Sequence, residues 1–184
     1  MSQTVYNGPN IVEVSLCTST NTNLNRVNYM AAIKTPCLGI CSTTSVGDVV
    51  CRGCKRYAFE VIDWNGYDDK AKSAVLSRIE RLNTQILENK LRIFSVPNLK
   101  AGLDRFHIPY DESLPPYCWL HNLLKKAHGR MESLEEYGVY ALGNYASMPL
   151  PALCEIIENE LLLLSEAHHA RYFAPAKFGH KNRS

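Results

Sequence analysis

The chain lacks any long hydrophobic run. Its leucine-rich stretch, Leu161-Leu162-Leu163-Leu164, is bounded by Glu160 on one side and Ser165-Glu166 on the other. A membrane-spanning helix needs roughly 18 consecutive apolar residues, so no membrane association is expected. A secretory leader is also missing: MSQTVYNGPNIVEVSL has neither a basic start nor a continuous apolar segment, which places the expected compartment in the cytosol. Charge of one sign is scarce. Lys and Arg number 20 and Asp and Glu 18, a net charge of +2, so any nucleic-acid binding must come from a local patch. There is no G-x-S-x-G, no Walker sequence, no dinucleotide fingerprint and no H-E-x-x-H, and no residue stands out as a general base. Nothing in the sequence marks an enzyme.

What is present is thiol. Four of the seven cysteines fall within TPCLGICSTTSVGDVVCRGCKR, residues 35–56, in the pattern C-x3-C-x9-C-x2-C. Cytosolic thiols stay reduced unless they are catalytic or bound to metal, which argues against a disulfide framework. Cys37/Cys41 and Cys51/Cys54 are two close pairs. Each pair can present both sulfurs to one ion, and four cysteines make a structural zinc set. Gly39 and Gly53 allow the sharp turns this needs, and inward-facing N–H groups can then donate to the sulfurs. The nine-residue spacer Ser42–Val50 has the length of a short hairpin, and a helix is expected to start near Cys54. Zinc and iron–sulfur clusters share the all-cysteine ligand set. The spacing departs from the common ferredoxin runs, which favours Zn2+. An iron–sulfur cluster on Cys37, Cys41, Cys51 and Cys54 is the alternative.

Around this module the expected fold is mainly α. Residues 1–34, rich in Asn, Thr and Ser, read as a loosely ordered lead-in. Residues 35–92 hold the irregular cysteine module (turn, short hairpin, helix start) and a long helix. In that helix Val75, Ile79, Leu82 and Ile86 recur on one face after an Asp68 N-cap. Residues 93–184 form a helical region with a basic tail. IFSVPN (93–98) reads as a short strand or linker interrupted by Pro97, and 98–115 as turns. Helices are expected over PYCWLHNLLKKAH with Gly129 as C-cap, over MESLEEYGVYAL, and over PALCEIIENELLLLSEAHH. The last presents Leu153, Ile157, Leu161 and Leu164 on one face.

PCLGIC, CRGCKR, Glu60, Trp64 and DDKAKSAVLSRI together resemble the YdhL-like bacterial proteins (domain of unknown function 1289). The resemblance runs from residue 35 to about 82, so 1–34 and 93–184 have no counterpart in it. That family is usually described as predicted iron–sulfur proteins with no assigned activity. The resemblance therefore implies a metal centre but no reaction.

Arg52, Lys55 and Arg56 surround the second cysteine pair, next to Tyr57. They can offset the −2 charge of a four-thiolate zinc centre, or meet phosphates while Tyr57 or Phe59 stacks on bases. The expected function is a metal-binding module whose basic, aromatic surface meets a protein or RNA partner; the alternative is electron transfer through a cluster. Cys118 and His121, three apart on one helix, could face a metal with His128, His168 or His169. A packed Cys118 and a surface His121 are the simpler expectation. Cys17 and Cys154 read as unreactive, and Glu135-Glu136 and Glu158/Glu160 as solvated helix faces.

Overall fold

The structure, a computed structural model, describes residues 33–37 and 39–173. The lead-in up to residue 32, including Cys17, and the basic tail from residue 174 lie outside the described residues. What is described falls in one compact unit that begins at Ala32. It is mainly helical. The elements in chain order are α1 (Ser42–Val46), α2 (Ala58–Ile62), α3 (Asp69–Glu88), β1 (Leu91–Ile93), α4 (Val96–Arg105), α5 (Pro116–Ala127), β2 (Val139–Ala141) and α6 (Leu150–Tyr172). Single 3-10 turns lie at Trp64–Gly66, His128–Arg130, Glu135–Tyr137 and Gly143–Tyr145.

The long helices form where the apolar period and the caps agree. Asp68 accepts a hydrogen bond from Ala71 N and so caps α3. Val75, Leu82 and Ile86 are buried, and Ile79 is half-buried. In α6, Leu153, Ile157 and Leu161 are buried and Leu164 packs against the same core. Helix α3 packs on both α5 and α6, and α4 closes against α5. The core they share contains Leu82, Leu87, Leu99, Leu103, Leu120, Leu123, Leu153, Ile157 and Leu161. Each such side chain contributes about 1.5–3 kcal/mol through removal from water.

Several expectations are corrected. The spacer between the cysteine pairs is not a hairpin. Ser42–Val46 is a short helix, with Ser45 Oγ donating to Cys41 O at 2.8 Å and Gly47 closing it at φ 81°. Local hydroxyl-to-backbone bonds here prevail over the strand preference of the threonines. The next helix starts at Ala58 rather than near Cys54, because the chain first completes a tight turn through Cys51–Cys54. Helix α3 stops at Glu88, and strand β1 follows where helix had been expected to run to 92. Pro97 does not interrupt a strand; it sits in the first turn of α4, where its missing N–H costs nothing, and Ser95 Oγ accepts from Asn98 N. The stretch 131–142 is not one helix but a 3-10 turn followed by β2. Gly129 lies inside a 3-10 turn and does not cap α5.

β1 and β2 pair antiparallel, Leu91 with Ala141, Arg92 with Tyr140 and Ile93 with Val139. Gly138 opens β2 at φ 69°, and its carbonyl accepts from Phe94 N and Ser95 N at 2.8 and 3.1 Å. A Cβ here would stand 2.2 Å from Ser95 O, so only glycine fits this crossing.

Candidate metal centre

The second cysteine pair forms a knuckle. Cys51 N donates to Arg56 O and Lys55 N donates back to Cys51 O, both at 2.8 Å. Lys55 takes a left-handed backbone (φ 59°) to close the turn. Val50 and Tyr57 pair across its base as an isolated antiparallel bridge. Burial pushes the Cys51 thiol up, but the N–H groups of Cys54, Gly53 and Ser42 and the adjacent Cys54 side chain outweigh it. They hold the thiol down at about 6. Cys54 is pushed up by burial, against the opposing pull of Arg56, whose Nε lies 3.4 Å from Cys54 Sγ.

The first pair is more open. Gly39, at φ 101°, donates its N–H to Cys37 Sγ at 3.5 Å. Cys41 reaches the knuckle, its sulfur 3.9 Å from that of Cys51. Two thiolates on one tetrahedral zinc, each at about 2.3 Å, stand about 3.8 Å apart, so this spacing fits a shared ion. Cys37 is exposed and lines a cavity together with Cys54. Among the described residues, no three metal-ligating side chains close into a ready coordination sphere. The donor set thus suits a soft ion, with Cys41 and Cys51 at ligand spacing, Cys54 beside them and Cys37 at the edge.

The basic residues expected at the surface are mostly inside. Lys55 is 4% exposed, Arg56 2% and Tyr57 1%; only Arg52 faces solvent, paired with Asp48 at 2.8 Å. The reason is that each has an internal partner. Arg56 stacks over Trp64 at 4.7 Å, and the Arg78 guanidinium lies 3.8 Å from the centre of the Tyr57 ring. Phe59, Phe173 and His169 pack on the same Tyr57 ring. Glu60 completes the set. Its carboxylate accepts from Tyr57 N at 2.8 Å, which secures the start of α2, and from Arg78 Nη2 at 2.6 Å.

Lys55 crosses to the helical region. Its Nζ donates to Arg52 O at 2.5 Å and to Glu158 Oε2 at 2.6 Å. Lys125 Nζ donates to Gly53 O at 2.6 Å. Glu158 also accepts from His121 Nε2 at 2.8 Å, and His121 Nδ1 meets Asn83 Nδ2 at 3.3 Å. Burial would raise the Glu158 carboxyl, but His121, Lys125 and Lys55 together lower it to about 2. Glu158 is therefore not a solvated helix face, and His121, 8% exposed, is not a surface histidine. Glu160 likewise pairs with the buried Lys90. Cys118 is buried beside Thr84 Oγ1, and Cys154 is buried with its thiol pushed up to about 11 by burial and by Glu158.

Glu60 was readable as a helix-start acid, three residues after Tyr57. Glu158, Lys125 and Asn83 carried no such signal, because their partners lie on other elements.

Residues 35–83 match a family described as a protein of unknown function (DUF1289). The match covers the segment whose cysteine, Arg-Gly and Trp pattern carried the resemblance. Comparison with curated proteins finds no match, and comparison with solved structures finds none either. Among the described residues, no helix is long and apolar enough to cross a membrane.

Proposed function

We propose that residues 35–64 are a structural metal module in which Cys37, Cys41, Cys51 and Cys54 bind one Zn2+, and that the module serves as an interaction surface. The observation that carries this reading is the Cys51–Cys54 knuckle, its N–H groups turned onto the Cys51 sulfur, with the Cys41 sulfur 3.9 Å away. Zinc supplies a closed tetrahedral link between the two cysteine pairs and no redox chemistry. Arg56 Nε lies 3.4 Å from Cys54 Sγ and tempers its charge.

A protein is favoured over RNA as the partner. Tyr57 is buried and cannot stack on a base, whereas Ile40, Val46, Val49 and Ile62 are 86, 70, 51 and 72% exposed.

Anaerobic purification followed by elemental analysis tests the centre. One zinc per chain and a colourless protein are expected, with zinc lost in Cys51→Ser because a hydroxyl is a poor ligand for a soft ion. A brown protein with stoichiometric iron and sulfide would replace zinc by a cluster on the same cysteines. Absence of any metal would remove the centre altogether.

A further inference from the structure

A cavity of about 310 Å³ lies where the second knuckle meets α3 and α5. Its wall includes Cys54, Asn83, His121, Asn122, Lys125 and Lys126. Two features of this wall have no use in holding the knuckle.

The first is an unpartnered acceptor. Asn83 is 8% exposed, and its Oδ1 has no hydrogen-bond partner. A buried amide oxygen left unpaired costs about 1–3 kcal/mol. Asn83 Nδ2 lies 3.3 Å from His121 Nδ1, and the other ring nitrogen, Nε2, meets the Glu158 carboxylate at 2.8 Å. The amide oxygen is left to accept from something else.

The second is surplus positive charge. Lys55 is engaged by Glu158 and Arg52 O. Lys125 spends one donor on Gly53 O and retains two. Lys126, the next residue, has no side-chain partner among the described residues and keeps all three. Two lysine side chains and one lone acceptor thus border one space, with burial pushing the Lys125 ammonium below its ordinary value against the pull of Glu158.

We infer that this cavity binds a small hydroxylated oxyanion, a phosphate or carboxylate ester-sized acid carrying a hydroxyl. The anionic group is held by Lys125 and Lys126, and the hydroxyl donates to Asn83 Oδ1. The volume suits about ten non-hydrogen atoms at a water-like share of about 30 Å³ each. The site rests on the lysines and the amide; Cys37 and Cys54 line the same cavity, so it lies directly beside the proposed cysteine centre.

The test uses the full chain with its native metal content. Binding of glycerol 3-phosphate and of glycerate is measured by calorimetry and by thermal unfolding, with metal measured in parallel. The two probes separate a phosphate from a carboxylate head; saturable binding of either supports the site. Methyl phosphate, which lacks the hydroxyl, is expected to bind about tenfold more weakly. Lys126→Met, an exposed and fold-tolerant change, is expected to weaken binding about tenfold without altering metal content. Lys70→Met, on the solvent side of α3, is expected to change nothing. The inference is overturned if neither probe binds saturably at millimolar concentration. It is equally overturned if methyl phosphate binds as well as glycerol 3-phosphate, or if the two lysine variants behave alike. A chain that holds no metal yet binds the probes would sink the proposed centre and leave this site standing.

Discussion

Replacing Glu158 with Gln tests the electrostatic tie between the cysteine knuckle and α6. The carboxylate holds Lys55 Nζ at 2.6 Å and His121 Nε2 at 2.8 Å. Its pKa lies at about 2 against an ordinary 4.5. At 1.36 kcal/mol per pKa unit the difference corresponds to about 3 kcal/mol. The Glu158 side chain is 34% exposed, so solvent screening brings its own share down to about 1–2 kcal/mol. The Lys55 side chain, only 5% exposed, then loses its counter-charge, which adds to the cost. The expected loss is about 2–3 kcal/mol at pH 7, or about 5–10 °C in Tm for a chain of this size. Urea unfolding followed by far-ultraviolet dichroism and by Trp fluorescence measures it.

The pH dependence has a definite sign. A carboxyl whose folded pKa is depressed stabilises fully above its unfolded value, and the contribution disappears as pH falls through the folded value. The gap between wild type and Glu158→Gln should hold steady from pH 6 to 8 and close between about 4.5 and 2. Protonation of the thiolates in acid affects both proteins and cancels in the difference. A gap below about 0.5 kcal/mol at pH 7, or one unchanged at the acid end, would refute the argument.

Two further substitutions probe other supports. Glu60→Gln keeps an acceptor for Tyr57 N but removes the charge facing Arg78 across 2.6 Å, with side chains 7% and 14% exposed. A loss of about 3 kcal/mol in urea unfolding is expected, and a near-neutral result would mean that Arg78 finds another partner. Gly138→Ala forces a Cβ to within 2.2 Å of Ser95 O at φ 69°. It should cost at least about 2 kcal/mol and lower the hydrogen-exchange protection of Phe94 and Ser95, which both donate to the Gly138 carbonyl.

The helical faces were legible because their periodicity survives in the final packing. Val75, Leu82 and Ile86, and Leu153, Ile157 and Leu161, are buried as their spacing implies. The Gly39 turn was legible for a similar local reason, since a tight turn is written in adjacent residues, whereas the second turn closes through a left-handed Lys55 that no residue preference announces. What failed was anything decided by distant partners. Lys55, Arg56 and Tyr57 look like a basic surface in a linear reading. They are buried because Glu158, Trp64 and Arg78 meet them from elements up to 103 residues away. Pro97 misled in the opposite way. Its meaning depends on whether a helix begins beside it, and Ser95 at the N-cap decides that. Strand β2 escaped notice and β1 was placed two residues late, at 93–98, because each is too short to show an alternating pattern, and their pairing rests on Gly138.

The bond between Lys55 and Glu158 spans 103 residues, and that between Lys125 and Gly53 spans 72. Chains are made from the N-terminus at about 5–20 residues per second. On the ribosome, the knuckle therefore emerges about 5–20 s before the carboxylate that neutralises Lys55. During that interval Lys55 lacks the carboxylate that holds it in the finished chain. If the cysteines hold the proposed ion, it meets them then before the rest of the chain has packed on the knuckle, and delivery during synthesis is easier than delivery to the finished molecule, where Lys55, Cys51 and Cys54 are all closed off.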